Sequence, residues 1–232
     1  MDRNVWIAVC IGAGLLWSTA YAGSVLVPGI AGDIQLEVES FQERKFSTIL
    51  RQEYDYSCGS AALASLLSYH YDHPVTEQEV FLAMLDLADA EKVRKEGFSM
   101  LDMKRYLQTR GFRADGFRLD IDGLRERVAL PLIVLMTIDG YRHFVVVKGI
   151  SDREVLIGDP TRGMMILDHD RFLAQWNGIA FVIRNHVELG RASFRERDQW
   201  PEIAGAPLRQ GIEGDQIPMG LDYVQWPHSL EW

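Results

Sequence analysis

The 232-residue chain contains only two cysteines, Cys10 and Cys58, and this scarcity limits how it can be stabilised. Cys10 lies in an N-terminal segment that we expect to be removed, so the mature protein retains Cys58 alone and forms no internal disulfide. A lone thiol in an oxidising compartment is a chemical liability. We therefore expect Cys58 to be kept for its reactivity.

Basic residues and nucleotide-binding motifs are also scarce. Lys and Arg total 24 against 33 Asp and Glu, which gives a formal net charge of -9. Such a chain has little with which to neutralise phosphates, so we exclude nucleic acid as a partner. No Gly-x-x-x-x-Gly-Lys-Ser/Thr sequence is present, and we expect no ATP-binding segment. The 47% hydrophobic and 25% charged content is ordinary for one globular domain with appendages.

The N-terminus has the pattern of an export signal. Arg3 supplies positive charge, residues 5–17 form an apolar run, and an Ala-Tyr-Ala cleavage pattern ends at Ala22. This pattern predicts a signal peptide over residues 1–22, cleavage after Ala22 and a periplasmic mature protein. The alternative is a retained membrane anchor, although the apolar run is shorter than the ~20 residues that span a bilayer. No later segment is long and apolar enough to span one.

The hydrophobic pattern changes from helical to strand-like along the chain. An alternating stretch at residues 32–39 predicts one early, half-buried strand. Helical patterns follow, beginning at Cys58, at a capping box of Thr76 and Glu79, and at Ser99. The helix after Thr76 is predicted to carry Val80, Met84 and Leu87 on one face, and the acidic residues Asp86, Asp89 and Glu91 to form a solvated helix end. Asp122 is the predicted cap of a later short helix. The strands predicted after them cover residues 112–119, 131–138, 143–150, 154–158, 163–167 and 179–183, with short helices at 122–128 and 168–176. This order, with helices first and antiparallel strands second, is typical of an α+β fold.

The last part of the chain loses this patterning. Residues 185–232 are rich in Gly, Pro and charge, with Trp200, Trp226 and Trp232 spread through them. We predict an extended C-terminal arm that packs a few aromatic side chains on the body. The alternative is a tail that docks on a partner or a membrane interface, but the segment has no amphipathic helical stripe.

Cys58 stands where a cysteine nucleophile is readily activated. It lies at the predicted start of an apolar helix, and the positive end of the helix dipole favours a thiolate. Gly59 lets a peptide backbone approach closely. The backbone N–H of Cys58 is a natural donor to the oxyanion of acyl transfer, and the side-chain amide of Gln52 is a candidate for the second donor.

His143 and Asp159 are the candidates for the base and for the residue that orients it. His143 opens a predicted strand, and Asp159 ends the next strand, immediately before Pro160. Adjacent antiparallel strands would place the two side chains next to each other. Asp159 would then hold the imidazole through Nδ1 and stabilise the imidazolium. Each residue alone has a plainer explanation in packing or turn formation, and the order Gln, Cys, His, Asp carries the prediction.

These motifs resemble those of a known family. The segment from Gln52 to Ala61, read as Q-x5-C-G-x-A, is similar to the cysteine motif of the C39 peptidases. These are papain-like proteases that cleave leader peptides, typically after a Gly-Gly pair, and many are fused to export transporters. The segments at His143 and at Asp159-Pro160 resemble the histidine and aspartate motifs of that family.

The resemblance implies both a fold and a set of roles. The fold is papain-like, with N-terminal helices packed on an antiparallel sheet. Cys58 would be the nucleophile, His143 the general base and acid, Asp159 the orienting residue and Gln52 the oxyanion-hole residue. No cofactor and no metal are needed for this chemistry.

The resemblance also divides the chain. It covers about residues 45–184, which we take as the peptidase domain. Residues 23–44 are then an N-terminal extension, and residues 185–232 are the arm.

The sequence departs from the family in two respects. Ser57 stands where Asp is frequent, which alters local charge but removes no catalytic role. The export signal places the domain outside the cytoplasm, whereas the transporter-fused members act inside. The layout is similar to stand-alone exported C39-like proteins found with secretion systems for extracellular fibres, including functional amyloid. A secreted fibre subunit or leader peptide is the expected substrate, and an outer-membrane secretion pore is a further candidate partner.

Two other functions remain open at this stage. One is a non-catalytic C39-like module that binds and escorts secreted chains. The other is a transglutaminase-like or cell-wall peptide hydrolase, because those enzymes also run Cys, His and Asp in that order. A metal site at His70 and His73 is a weaker hypothesis, since no third and fourth ligand is evident near them.

Overall fold

The computed structural model describes residues 24–29, 32–37, 41–54, 56–138, 140–194 and 200. The predicted signal peptide and most of the predicted C-terminal arm lie outside the described residues. The chain divides into two compact units, residues 1–40 and residues 41–232. In the first, strands β1 (Ser24–Gly29) and β2 (Gly32–Glu37) form an antiparallel hairpin. The strand predicted from the alternation after residue 32 is thus confirmed as β2.

A six-stranded antiparallel sheet forms the centre of the second unit. Its spatial order is β3-β8-β4-β5-β6-β7, and every pair of neighbouring strands is antiparallel. The strands are β3 (Ala114–Arg118), β4 (Leu132–Ile138), β5 (Tyr141–Ile150), β6 (Glu154–Asp159), β7 (Gly163–Asp168) and β8 (Trp176–Ile183). Strands β4, β5, β6 and β7 follow one another as hairpins, so the connections between them are short.

Most of the helices precede the sheet in the chain. In chain order, the helices are α1 (Phe41–Lys45), α2 (Cys58–His70), α3 (Glu77–Leu85), α4 (Ala90–Glu96), α5 (Met100–Thr109), α6 (His169–Gln175) and α7 (Val187–Ser193). The first five precede the sheet. Capping boxes start α3 and α5, with Thr76 paired to Glu79 and Ser99 paired to Asp102. A single π-helical turn, Gly123–Val128, precedes β4.

Helix α2 is the buried centre of the helical layer. Its residues from Gly59 to Leu67 are all buried, and it contacts α3, α5 and β5. Strand β5 sends Phe144 and Val146 into this helical core, while Val145 and Val147 pack in a second core with α6. Because both faces of the strand are covered, β5 reads as a continuous apolar run in the sequence.

Four local predictions are wrong, and each failure has a structural reason. Leu87 does not continue the apolar face of α3, because that helix ends at Leu85 and Leu87 is exposed. The acidic stretch after it is not the end of α3, since Asp89 caps α4 by accepting from the amides of Glu91 and Lys92. The turn at residue 123 is held by Asp120, not Asp122, because the Asp120 carboxylate accepts from the Gly123 amide at 2.7 Å.

The segment after residue 184 also differs from its prediction. The prediction of an extended arm is wrong for residues 187–193, which form α7 and pack on α2. Farther along, Trp200 is buried in the helical core, as expected for an aromatic side chain of the arm that packs on the body. Within the described part of the chain, no helix has the length and hydropathy needed to cross a membrane.

Candidate active site

Cys58 is the first residue of α2, as the motif predicted. It is partly exposed, whereas the rest of the helix is largely buried. The helix packs its small and apolar residues against the sheet, and this packing brings its N-terminus to the rim where β5 begins. The thiol is the free cysteine of the described residues. It therefore lies at the positive end of a 13-residue helix, at the surface of the domain.

His143 and Asp159 meet across neighbouring strands. His143 is the third residue of β5 rather than its first, and Asp159 is the last residue of β6. Val146 pairs with Gly158, so the alternation of side chains puts His143 and Asp159 on the same face. The His143 Nε2 lies 2.7 Å from Oδ1 of Asp159, and Cys58 is near enough to the ring to help raise its pKa.

This contact corrects the predicted orientation of the imidazole. Asp159 is predicted to hold Nδ1, but the ring atom that it contacts is Nε2. Nδ1 is thus the ring nitrogen left for Cys58. Asp159 approaches from the next strand along the sheet, and strand geometry sets which edge of the ring it reaches, so sequence order could not have predicted the atom.

The electrostatics of the pair favour a charged histidine. Burial opposes protonation of His143, but the hydrogen bonds to Asp159 and Cys58, together with their negative charge, outweigh it and raise the pKa of His143 to about 9. Burial likewise disfavours the Asp159 carboxylate, yet His143 and the amides of Thr161 and Arg162 hold its pKa below the ordinary value. The ring is therefore an imidazolium at neutral pH, ready to stabilise a thiolate.

The turn after β6 fixes the Asp159 carboxylate. Oδ1 accepts from the backbone amides of Thr161 and Arg162 at 2.7 and 3.1 Å, in addition to the contact with His143. Oδ2 is buried and makes no hydrogen bond among the described residues. A carboxylate held by three donors on one oxygen has little freedom to rotate, so the imidazole it contacts is held as well.

Gln52 lies in the same cleft and is tied to the same turn. Its backbone amide donates to the carbonyl of Pro160 at 2.9 Å, and its side-chain oxygen accepts from the Thr161 hydroxyl at 3.4 Å. Its Nε2 donates to the carbonyl of Tyr54 at 2.8 Å. Because Nε2 carries two hydrogens, this bond leaves one donor for another acceptor.

The cleft around these residues has a volume of about 370 Å³. Its walls come from the loop before α2, the end of α4 with the loop that follows, and the β4–β5 rim. The lining residues are Gln52, Tyr56, Cys58, Lys92, Glu96, Gly97, Phe98, Ser99, Leu135, Tyr141, Arg142, His143, Phe144 and Thr161. An apolar floor with a few charged groups at its edge suits a peptide chain better than a small charged metabolite.

Sequence reasoning missed several residues of this site. It did not anticipate α4, which supplies Lys92 and Glu96 to the cleft. It also missed Thr161, which bonds both Asp159 and Gln52. Its position directly after the Asp-Pro pair was the only available signal.

The hypothetical metal pair is not assembled. His70 Nδ1 contacts the Ser193 hydroxyl at 2.9 Å, whereas His73 packs edge-on against Phe112. Among the described residues, no three His, Cys, Asp or Glu side chains lie close enough to hold a metal ion.

Comparison with known proteins identifies the family. The model of the peptidase C39 family matches residues 46–188, more than half of the chain. The probable functional amyloid protease FapD of Pseudomonas fluorescens is 44% identical over 171 residues, which cover 73% of this chain and 75% of that protein. The probable functional amyloid protease FapD of Pseudomonas aeruginosa is 41% identical over 181 residues, covering 78% and 79%.

The fold agrees with this assignment. A crystal structure of a double glycine motif protease from an AMS/PCAT transporter, solved with its leader peptide, superposes with a TM-score of 0.50 at 25% identity. The superposition covers 58% of this chain and 89% of that one. The predicted α+β, papain-like arrangement is confirmed. The chain belongs to the peptidase C39 family, and it is a cysteine peptidase that acts on a peptide or protein substrate.

Proposed function

We propose that this chain is an exported peptidase that cleaves a protein on the secretion route of a functional-amyloid fibre. Two relatives above 40% identity carry the name of functional amyloid protease, and each aligns over about three quarters of its length. The expected substrate is a fibre subunit or its leader peptide, and an outer-membrane secretion pore is the expected docking partner. The predicted signal over residues 1–22 supports a periplasmic site of action.

The proposed mechanism assigns a role to each residue of the cleft. The Cys58 thiolate attacks the scissile carbonyl, and the oxyanion that forms is stabilised by the Cys58 backbone N–H and the Gln52 amide. The His143 imidazolium donates its proton to the leaving amine as the C–N bond breaks and a thioester forms. Neutral His143 then takes a proton from water as the water oxygen attacks the thioester; the C–S bond breaks, the carboxylic acid product leaves, and the Cys58 thiolate and His143 imidazolium are restored.

A single observation carries this proposal: His143 bonds the buried Asp159 carboxylate and lies beside Cys58 in a cleft that also holds Gln52. A histidine with a purely structural role would need only one of these two partners. An imidazole that lies between a buried carboxylate and a partly exposed thiol is placed to act as the base for that nucleophile.

The test uses the mature protein and a fluorogenic peptide with Gly-Gly before the reporter amine. Wild type should release the reporter, while Cys58→Ala should not, with its melting temperature unchanged. Hydrolysis by Cys58→Ala at the wild-type rate would refute the mechanism. A Cys58→Ala strain that still exports and assembles its fibre would favour the escort alternative. Turnover of peptidoglycan stem peptides in place of Gly-Gly peptides would favour the cell-wall hydrolase.

The site of action has its own measurement. N-terminal sequencing of protein from the periplasmic fraction should begin at Gly23. A chain that keeps residues 1–22 and sediments with membranes would point to the retained anchor.

A further inference from the structure

A buried acid lies directly beneath the loop that leads to the nucleophile. Glu77 is the first residue of α3, and only 4% of its surface is exposed. Its Oε2 accepts from the backbone amide of Glu53 at 2.8 Å. Its Oε1 contacts the hydroxyl of Ser57, the residue before Cys58. The carboxyl thus joins both ends of the 53–57 stretch, although nothing in the proposed mechanism uses it.

Ser57 makes this contact in place of the usual N-cap hydrogen bond. It occupies the N-cap position of α2, where a serine oxygen ordinarily accepts from an amide of the first turn, yet it makes no side-chain cap. Its Oγ instead contacts the Tyr54 carbonyl at 2.8 Å and accepts from the Tyr54 amide at 3.3 Å. The fully buried hydroxyl is therefore committed to the loop and to Glu77.

The number of hydrogens available around the Ser57 hydroxyl indicates whether Glu77 is ionised or neutral. A hydroxyl has one hydrogen and two lone pairs. Here Oγ faces two oxygens, the Tyr54 carbonyl and Glu77 Oε1, and one amide donor. If Glu77 were ionised, one of the two oxygen–oxygen contacts would have no hydrogen. If Glu77 is neutral, its O–H donates to Oγ, the Ser57 hydrogen goes to Tyr54, and every group is satisfied.

The chain of bonds ends at the proposed oxyanion donor. The same Tyr54 carbonyl that accepts from Ser57 also accepts from Nε2 of Gln52 at 2.8 Å. A continuous path therefore runs from the Glu77 carboxyl through Ser57 and Tyr54 to the Gln52 amide. A shift of that carbonyl would shift Nε2 with it.

The surroundings of Glu77 favour the neutral acid. Burial raises the pKa of Glu77 above its ordinary value; the contacts with the Ser57 hydroxyl and the Glu53 amide oppose this, and the Glu53 charge adds to it. The N-terminus of α3 attracts negative charge and so opposes the neutral form, but the exposed carboxylate of Glu79, in the capping box of the same turn, already supplies that charge.

We propose that Glu77 is a positioning residue of the peptidase: as a neutral carboxylic acid it fastens the 53–57 loop and, through Ser57 and Tyr54, sets the position of the Gln52 amide. This inference rests on the proposed function, because it assumes that Gln52 serves the oxyanion. It assigns Glu77 no contact with the substrate.

The experiment compares Glu77→Gln, Glu77→Ala and Ser57→Ala with wild type. Glutamine keeps the shape of the neutral acid, with a carbonyl to accept from Glu53 and an amide that can donate to Ser57 through one of its two N–H groups, so Glu77→Gln should keep kcat within about twofold of wild type. Glu77→Ala and Ser57→Ala free the loop, and kcat on the Gly-Gly reporter peptide should fall roughly 10- to 100-fold. Glu79→Gln, which changes an exposed carboxylate of the same helix turn, is the matched control and should hydrolyse normally.

Alkylation separates a positioning role from general damage. Iodoacetamide reacts with the thiolate and needs no oxyanion donor, so its rate with Cys58 should stay within about twofold in all variants. An equal loss of alkylation and hydrolysis in Glu77→Ala would place the defect at the thiol and overturn the proposal. Wild-type turnover by Glu77→Ala would overturn it too, as would a Glu77→Gln variant as slow as Glu77→Ala. If Glu77→Ala does not fold, Ser57→Ala carries the test.

Stability against pH provides the second readout. A raised folded-state pKa means that the contribution of Glu77 is complete at acidic pH and is lost as pH rises above the unfolded value, 4.5, and through the folded one. Glu77→Gln removes this titration, so the unfolding midpoint of the variant should rise relative to that of wild type as pH rises. A constant difference would show that Glu77 titrates alike in both states, contrary to the proposal. Absence of hydrolysis by wild type would refute the proposed function, and with it the positioning role, whereas the pH dependence of stability would still test whether Glu77 is held as a neutral acid.

Discussion

The Nε2 of His143 lies 2.7 Å from Oδ1 of Asp159, which leaves Nδ1 as the ring nitrogen available to Cys58. The Asp159 oxygen also accepts two backbone amides of the turn that follows it. The ring is thereby held by a carboxylate that is itself fixed. In the proposed mechanism, the proton transferred to the leaving group comes from Nδ1, while Nε2 stays bonded to Asp159.

Replacing Asp159 with asparagine should slow hydrolysis severely. The amide keeps the size of the side chain but loses the charge that stabilises the imidazolium, and it can present N–H to the ring nitrogen. We expect kcat to fall roughly 10²- to 10⁴-fold with little change in KM. Steady-state kinetics on the reporter peptide measures this, with circular dichroism to verify folding. A wild-type rate would remove Asp159 from the mechanism.

The activity should have an alkaline limit set by His143. The leaving amine needs a proton from the imidazolium, so kcat/KM should decline as pH rises through about 9, the pKa of His143. In Asp159→Asn the carboxylate no longer raises that pKa, and the alkaline limb should move to lower pH. A pH profile of both proteins provides the check. Identical limbs would show that another group titrates there.

Gln52 should contribute to hydrolysis and not to thiol reactivity. Without its side-chain amide the developing oxyanion loses one donor, and kcat of Gln52→Ala should fall roughly 10²- to 10³-fold. The His143 contact does not involve Gln52, so the iodoacetamide rate at Cys58 should remain near wild type. Gln52→Glu is the matched variant, since it has the same shape without a donor. Full activity in either protein would exclude Gln52 from the oxyanion hole.

Gly163 should tolerate no side chain, because α1 passes directly over it. Its φ is +84°, and an added Cβ would stand 2.7 Å from the Lys45 carbonyl oxygen. Gly111 has a similar φ of +81° with no described atom within 4 Å of such a Cβ, so it reports the backbone strain alone. We expect Gly111→Ala to cost about 1 kcal/mol. Gly163→Ala should cost about 1–3 kcal/mol more.

Urea unfolding of the two glycine variants measures this difference. Equal losses would mean that the Lys45 contact adjusts freely.

Local signals in the sequence predicted most of the elements correctly. The capping boxes at Thr76 and Ser99 start helices because a side chain and an amide within one turn satisfy each other, whatever surrounds them. Strand β5 was predictable because β-branched residues on both faces suit a covered strand. Helix α4 was missed because it buries only Val93, and so short a helix leaves little periodic pattern.

Motifs and periodicity are properties of neighbouring residues, so the sequence alone predicts the family, the order of helices and strands and the candidate residues Gln52, Cys58, His143 and Asp159. Only the tertiary structure decided that Asp159 contacts Nε2, that Thr161 links Asp159 to Gln52, and that Glu77 lies beneath Ser57. These contacts join residues 16, 109 and 20 positions apart. Packing of α2 and α3 and the pairing of strands set such distances, and no local pattern records them.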